Sequence, residues 1–234
     1  MSHASIPDMQ PLASRTATLG SQWEIWGVRH IAQRIGVCEC RRRLLHMLPG
    51  FLPALMLVLP HYDPWELPLK ICVVGLSLGI MAFAILRYND FARPGESQWH
   101  ASVIGYTMPV IAMLLLLPGR SELGLMTLGV LAFGDGSAAL GGKLMQGPKL
   151  PWNRCKTWAG LASFAIVGSI AASFSYWADA RPAVPIMICC MIGAAAALMG
   201  AIVESLPIRS HDNFRVGATA ALTGITMHIL LLGW

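Results

Sequence analysis

Long apolar runs recur along the chain and limit what it can fold into. Such runs can be read at residues 47–60, 69–86, 101–117, 121–140, 157–177, 182–203 and 215–232. About 20 predominantly apolar residues let a helix cross the hydrocarbon of a bilayer, and several runs approach that length. Only 12% of the residues are charged, which disfavours a soluble globular fold. We therefore expect an all-α, polytopic membrane helical bundle of about seven transmembrane helices, surrounded by membrane lipids.

The first run, residues 47–60, is the shortest and carries Pro49, Pro53 and Pro60. Proline removes a backbone hydrogen bond from a helix. This run is therefore expected to be kinked, tilted or re-entrant rather than a regular crossing. Whether it crosses fully is open, and the span count depends on it.

Basic residues are distributed unevenly between the connections of these runs. Of the 17 lysines and arginines, only Lys70, Arg120 and Arg181 fall on one of the two sides. Lysine and arginine accumulate in cytoplasmic connections of membrane proteins. The pattern predicts a cytoplasmic N-terminus and an outer C-terminus. We attribute the net charge of +5 to this asymmetry and to anionic lipid headgroups rather than to nucleic acid.

The first 40 residues differ in composition from the rest of the chain. Residues 1–20 are typical of a disordered segment, and the stretch from Trp23 to Arg34 mixes apolar and charged residues as an interfacial helix does. No short apolar segment ends in a small-residue cleavage site, so we expect no cleaved signal peptide. Residues 41–234 are expected to form a single transmembrane domain, because no room is left for a separate soluble one.

One acidic residue, Asp135, interrupts the run 121–140 near its expected cytoplasmic end. A carboxylate at the centre of a membrane helix costs about 2.5–3.5 kcal/mol on insertion scales unless it meets a cation, a metal or water. It therefore marks a functional site, or else a structural ion pair with an arginine of another helix. Nearby Gly134, Gly136 and Gly142 suit either the close approach of a ligand or helix packing.

The connection after this run is basic and contains Lys143, Lys149, Arg154 and Lys156. Cations beside a carboxylate suit a polyphosphate with Mg²⁺. The cations neutralise phosphate oxygens, and the carboxylate holds the metal or accepts a proton from an attacking hydroxyl. Topology alone also explains such charges. No Gly-x-x-x-x-Gly-Lys-Ser/Thr element is present, which argues against a P-loop NTPase.

Two further polar clusters fall on the same predicted face of the membrane. Their members are Arg42, Arg43 and His46 before the first run, and Glu204, His211, Asp212 and Asn213 between the sixth and seventh runs. Each cluster alone is ordinary for a protein surface. Together with Asp135 they predict a catalytic site at the cytoplasmic face.

These motifs resemble those of the polyprenol kinase family, which includes dolichol kinase and phytol and farnesol kinases, and they are closest to the phytol kinase branch. The resemblance runs from about Arg42 to Ser210 and beyond. It rests on Arg-Arg-x-x-His46, Gly134-Asp-Gly-Ser-Ala-Ala, Lys149-Leu-Pro-Trp-Asn-Arg-Cys-Lys-Thr-Trp-Ala-Gly160, Glu204-Ser-Leu-Pro and Asp212-Asn213. It implies phosphoryl transfer from a nucleoside triphosphate, typically CTP with a divalent cation, to the hydroxyl of a long isoprenoid alcohol.

The resemblance also implies roles for individual residues. Asp135 and His46 are the expected catalytic residues, and the general base is open between Asp135, another carboxylate and His46. Nucleotide-binding roles fall on Gly134, Gly136, Gly142, Lys149, Asn153, Lys156 and Arg43. Roles as metal or nucleotide partners fall on Asp135, Glu204, Asp212 and Asn213. The sequence departs from the family at Arg43, where lysine is common, at His211, where a second acid often stands, and at Trp158-Ala-Gly160, which leaves the substrate and the nucleotide open.

Two other functions are open. An enzyme resembling phosphatidate cytidylyltransferase would attack the α-phosphate of CTP, but its signature ending in Gly-x-x-Asp-Arg-x-Asp is missing. A small transporter can also use an intramembrane acid, although the polar groups cluster at one interface and no inverted repeat is evident. We expect a multi-pass membrane enzyme, in the inner membrane if the cell is bacterial, with its active site facing the cytoplasm. The identity of the lipid alcohol and the oligomeric state, a homo-oligomer included, are open.

Overall fold

The computed structural model describes residues 35–62, 64–87, 99–208 and 212–233. The helices in these ranges are α1 (Val37–Met47), α2 (Leu52–Met56), α3 (Leu67–Leu86), α4 (Trp99–Leu116), α5 (Ser121–Gly129), α6 (Gly136–Met145), α7 (Trp158–Asp179), α8 (Ile186–Ser205) and α9 (Asp212–Leu232). A 3-10 turn, Leu48–Phe51, joins α1 to α2, and a π-helical segment, Val130–Asp135, joins α5 to α6. The predicted interfacial helix from Trp23 to Arg34 and the predicted disordered residues 1–20 lie outside the described residues.

Five helices are long and apolar enough to cross a membrane. They are α3, the continuous helix Ser121–Met145 that contains α5 and α6, α7, α8 and α9. The prediction of an all-α membrane bundle is thereby confirmed. The third predicted run, 101–117, corresponds to α4, which contains the shorter apolar stretch His100–Leu116. The run 47–60 forms only the 3-10 turn and the short helix α2, so the count of seven stays a prediction.

The helix Ser121–Met145 is the centre of the bundle. Residues 121–132 are all buried, and the helix packs against α4, α7 and α9. Its glycines explain the close packing: a Cβ on Gly129 would lie 2.7 Å from Ser175 Oγ, and one on Gly134 would lie 2.6 Å from the Phe164 ring. Small residues at such contacts let membrane helices approach each other closely.

Helix α3 stands apart from this centre, because only 6% of its most apolar window is buried. It packs on α4. The connection before it is fixed to the far end of α7, where His61 Nε2 lies 2.9 Å and Trp65 Nε1 3.3 Å from Asp179 Oδ1. This arrangement leaves a cavity between α3, α4 and the segment that contains α1 and α2.

Candidate functional site

Asp135 is the last residue of the π-helical segment. A π turn adds a residue to a helical turn, and such turns are frequent at functional sites. Inside this segment the carbonyl oxygen of Leu131 lies 3.1 Å from His46 Nε2. The segment was not predicted, because a change of hydrogen-bond register has no sequence pattern of its own. It places Asp135 where α1 can reach it.

The Asp135 carboxylate is held by two side chains of α1. Arg43 Nη1 donates to Asp135 Oδ2 at 2.9 Å, and His46 Nε2 lies 3.3 Å from the same oxygen. The Asp135 side chain keeps 17% of its surface exposed. An arginine therefore compensates the charge, as the structural alternative expected. The same groups also line a cavity, so the ion pair and the candidate ligand site coincide.

Two residues that the sequence did not single out help to order this cluster. Glu39 Oε1 lies 3.2 Å from Arg43 Nε and 3.5 Å from Lys143 Nζ. The Tyr106 hydroxyl donates to the backbone oxygen of His46 at 3.0 Å, and the two rings are 4.5 Å apart. The contact of Glu39 with Arg43 could have been predicted, because residues four apart on a helix are neighbours. The contact of Tyr106 could not, because Tyr106 belongs to a helix distant in sequence.

Burial lowers the pKa of His46 below its usual value; the charge of Asp135 opposes this shift and that of Arg43 adds to it. His46 is therefore neutral at pH 7. Because the Leu131 carbonyl can only accept a hydrogen bond, the contact assigns the ring proton to Nε2. The neutral ring thus donates to the Leu131 carbonyl, and its Nε2 lies 3.3 Å from Asp135 Oδ2.

A second polar cluster is built on Lys156. Its Nζ donates to the backbone oxygen of Glu204 at 2.6 Å and to the Glu204 carboxylate, and it lies 3.5 Å from Asp212 Oδ2. Arg215 Nη2 lies 2.5 Å from Asp212 Oδ1. The charge of Lys156 also acts on Asp135. Asp135 and Asp212 line the same cavity, so the two clusters are neighbours. That they form one catalytic site stays a prediction.

The remaining predicted nucleotide or metal residues make contacts within the chain. Asn153 Nδ2 donates to Ser205 O at 3.0 Å, and Asn213 Nδ2 donates to Ser102 O at 2.9 Å. Lys149 is exposed and forms an isolated bridge with Thr157. The Asn153 and Asn213 amides therefore join separate helices and loops, and their ligand roles stay predictions.

The three predicted glycines lie at helix contacts. A Cβ on Gly134 would meet Phe164, one on Gly136 would lie 2.7 Å from Met47 Cγ, and one on Gly142 would lie 3.0 Å from Thr157 Oγ1. These contacts correspond to the packing alternative that the sequence left open. A nucleotide-binding role for the glycines stays a prediction.

The four predicted metal ligands are not gathered at one point. Asp135 pairs with Arg43, while Glu204 and Asp212 pair with Lys156. Across the described ranges, no group of three or more His, Cys, Asp or Glu residues is placed to hold a metal ion. Nucleotide-bound Mg²⁺ usually takes one or two carboxylates together with phosphate oxygens. These residues therefore do not form a metal centre by themselves.

The cavity beside Asp135 has a volume of about 1030 Å³. Its polar lining comes from Arg42, Arg43, His46, Ser77, Ser102, Tyr106, Thr107, Asp135, Asp212 and Asn213. Its apolar walls come mainly from α3, α4 and the segment before α3, and include Phe51, Leu55, Leu76, Ile80, Phe83, Val110 and Leu114. The charged groups come from α1, from Asp135 and from the start of α9, whereas the lining of α4 beyond Tyr106 and Thr107 is apolar as far as Leu114. The cavity therefore has its charged groups at one end and mainly apolar walls along its length.

Comparison of the chain with protein-family models, curated proteins and solved structures found no match. The resemblance to polyprenol kinases therefore rests on the motifs quoted above.

Proposed function

We propose that the chain is a CTP-dependent kinase, which phosphorylates the hydroxyl of a membrane-dissolved isoprenoid alcohol at the cytoplasmic face. The observation that carries the proposal is the cavity of about 1030 Å³, which has apolar walls and ends at Asp135 and His46. An isoprenoid alcohol likewise has one polar end, its hydroxyl, and a long apolar chain. The motif resemblance supplies the reaction type and the identity of both substrates.

The apolar walls serve mainly to orient the lipid. Lipid tails are as apolar as these side chains, so moving an isoprenoid from the bilayer into the cavity gains little free energy. Confinement between α3 and α4 would instead direct the hydroxyl towards Asp135. Holding the reacting atoms in line removes much of the entropic cost of the reaction.

The polar end suits phosphoryl transfer. The lipid hydroxyl oxygen attacks the γ-phosphorus of CTP, the bond to the β,γ-bridging oxygen breaks, CDP leaves, and the hydroxyl proton passes to the Asp135 carboxylate. Arg43 and Lys156 offset the negative charge on the phosphate oxygens. Because the transition state of phosphoryl transfer is loose, position and charge matter more than the strength of the base. His46 Nε2, 3.3 Å from Asp135 Oδ2, lies beside the carboxylate that accepts the proton.

The resemblance also implies Mg²⁺, which would supply further neutralisation of the triphosphate. Asp135 and Glu204 are two of the carboxylates that would hold it. Because their oxygens are already paired with Arg43 and Lys156, no step proposed here depends on the metal.

We also propose seven crossings with a cytoplasmic N-terminus. The segment from His46 to His61 runs from the contact with Asp135 to the contact with Asp179 at the end of α7, which supports counting it as a crossing. The excess of basic residues on the side of Asp135 supports a cytoplasmic site.

Label transfer tests the reaction. Purified protein in detergent would receive Mg²⁺, a panel of isoprenoid alcohols and CTP labelled either in the γ-phosphate or in cytidine. We expect γ-label, and no cytidine label, in a lipid monophosphate. Cytidine label in the lipid would identify a cytidylyltransferase instead. No label from any nucleotide would contradict a kinase and favour transport.

A further inference from the structure

The loop between α6 and α7 presents two tryptophans that contact each other. The rings of Trp152 and Trp158 are 5.5 Å apart and nearly perpendicular, at 81°. Each side chain is 45% exposed. Contiguous exposed aromatic surface of this kind marks contact with a ligand, a partner or a membrane.

The loop is held in one conformation. Leu150 N donates to Lys156 O at 3.0 Å and Lys156 N donates to Asn153 O at 3.0 Å, which closes a tight turn. The Leu150 side chain is fully buried beneath it. Trp152 Nε1 donates to Ser205 Oγ at 3.2 Å. A ligand would therefore meet a preformed surface and lose little entropy in ordering it.

Trp152 and Lys156 are anchored at the same end of α8. Trp152 is bound to Ser205 and Lys156 to Glu204, and these two acceptors are consecutive residues at the end of α8. Residues 146–157 contain no acidic residue, and Lys149 and Arg154 are exposed there. The loop thus combines flat aromatic faces with positive charge, which is the combination that stacks bases and attracts phosphates.

We propose that Trp152 and Trp158 form the surface on which the nucleobase of the triphosphate stacks, with its phosphates directed towards Lys156. This inference rests on the proposed function and adds the position of the nucleotide. The lipid and the nucleotide then approach Asp135 from different sides: the lipid through the apolar cavity, which neither tryptophan lines, and the nucleotide across the α6–α7 loop.

Tryptophan at a membrane surface also serves as an interfacial anchor. The hydrogen bond from Trp152 to Ser205 and the neighbouring Lys156 cluster favour a nucleotide site. Trp177 offers a contrast, because it is 42% exposed but lies on α7 beside Ser173, Phe174 and Ile186 in a shallow apolar depression.

Equilibrium binding of labelled CTP, measured without any lipid alcohol, tests the platform separately from catalysis. We expect Trp152→Ala and Trp158→Ala each to raise the Kd for CTP about tenfold, because a base stacked on an aromatic side chain contributes on that scale. Trp158→Phe keeps an aromatic face and should stay within about threefold of the unaltered protein. Trp177→Ala is the matched control and should leave the Kd unchanged.

An unchanged Kd in both alanine variants would overturn the proposal. Quenching of Trp152 and Trp158 fluorescence by brominated phospholipids in nanodiscs, with the Kd unaffected, would assign them to the membrane surface instead. If CTP binds and the alanine variants weaken it while no phosphate reaches any alcohol, the platform stands and the kinase proposal fails. If the unaltered protein binds no CTP, both fail.

Discussion

At the scale of single residues, the central feature is a charge that is both compensated and accessible. Asp135 pairs with Arg43 at 2.9 Å and retains a 17% exposed side chain on a cavity. Removing one partner of a buried ion pair leaves the other uncompensated, which typically costs about 3–5 kcal/mol. Substitutions of Arg43 therefore test stability and function together. His46 is the cleaner probe, because it is neutral at pH 7.

The stability of the protein should depend on pH through His46. Burial lowers the pKa of His46 below the usual 6.5, so the unfolded chain binds its proton at a higher pH than the folded one. The contribution of neutral His46 to the free energy of unfolding is complete above about pH 6.5. It is lost as the pH falls below that value, and the free energy of unfolding then changes by at most about 1.4 kcal/mol per pH unit. His46→Gln keeps an N–H donor and does not titrate.

The measurement is the thermal midpoint of both proteins in detergent from pH 8 to pH 5. We expect the midpoint of the histidine form, relative to the glutamine variant, to stay constant at high pH and to fall on acidification below pH 6.5. A difference that stays constant down to pH 5 would show that His46 is not held neutral.

At the scale of helices, the long apolar runs predicted most of the fold. The runs 69–86, 157–177 and 215–232 correspond to Leu67–Leu86, Trp158–Asp179 and Asp212–Leu232, because a crossing must satisfy its backbone within itself and therefore needs an uninterrupted helix. The run 47–60 gave no such helix, since its prolines interrupt the hydrogen bonding. The π-helical segment could not be predicted, because its six residues are as apolar as their neighbours apart from Asp135.

The face of α3 that lines the cavity should control access of the lipid to that cavity. Ile80 lines the cavity, whereas Leu78, on the same helix and similarly exposed at 42% against 46%, does not. Ile80→Trp places extra volume in the cavity, and overpacking typically costs 1–3 kcal/mol, so we expect the KM for the isoprenoid alcohol to rise about tenfold. The KM for CTP should not change.

Leu78→Trp is the control for a bulky ring on α3, and both kinetic constants should keep their original values in that variant. Steady-state rates at varied alcohol and CTP concentrations give the KM of each variant for each substrate. Equal effects of the two substitutions on the alcohol KM would show that the cavity between α3 and α4 does not hold the substrate.

At the scale of the whole molecule, one bundle meets two solvents. The apolar cavity is walled by α3 and α4, and the basic connection after α6 lies on the predicted cytoplasmic side. The sequence brought Asp135, Arg43, His46 and Lys156 to one face through topology, and the structure places them in two neighbouring clusters. The cavity walls were not predicted. They depend on how far α3 stands from the central helix, and periodicity along one helix carries no information about that distance.

Phosphate transfer by an Asp135→Asn variant tests the central claim most directly. The amide has nearly the same shape but neither the charge nor the basicity of a carboxylate, so the rate of γ-phosphate transfer from CTP to an isoprenoid alcohol should fall at least about 100-fold. Asp179→Asn is the matched control. Asp179 is fully buried at the C-terminal end of α7 and does not line the cavity, so this variant should retain transfer. Transfer rates would be compared once the thermal midpoints of both variants are shown to equal that of the unaltered protein. Transfer by Asp135→Asn within about twofold of the unaltered protein would contradict the account.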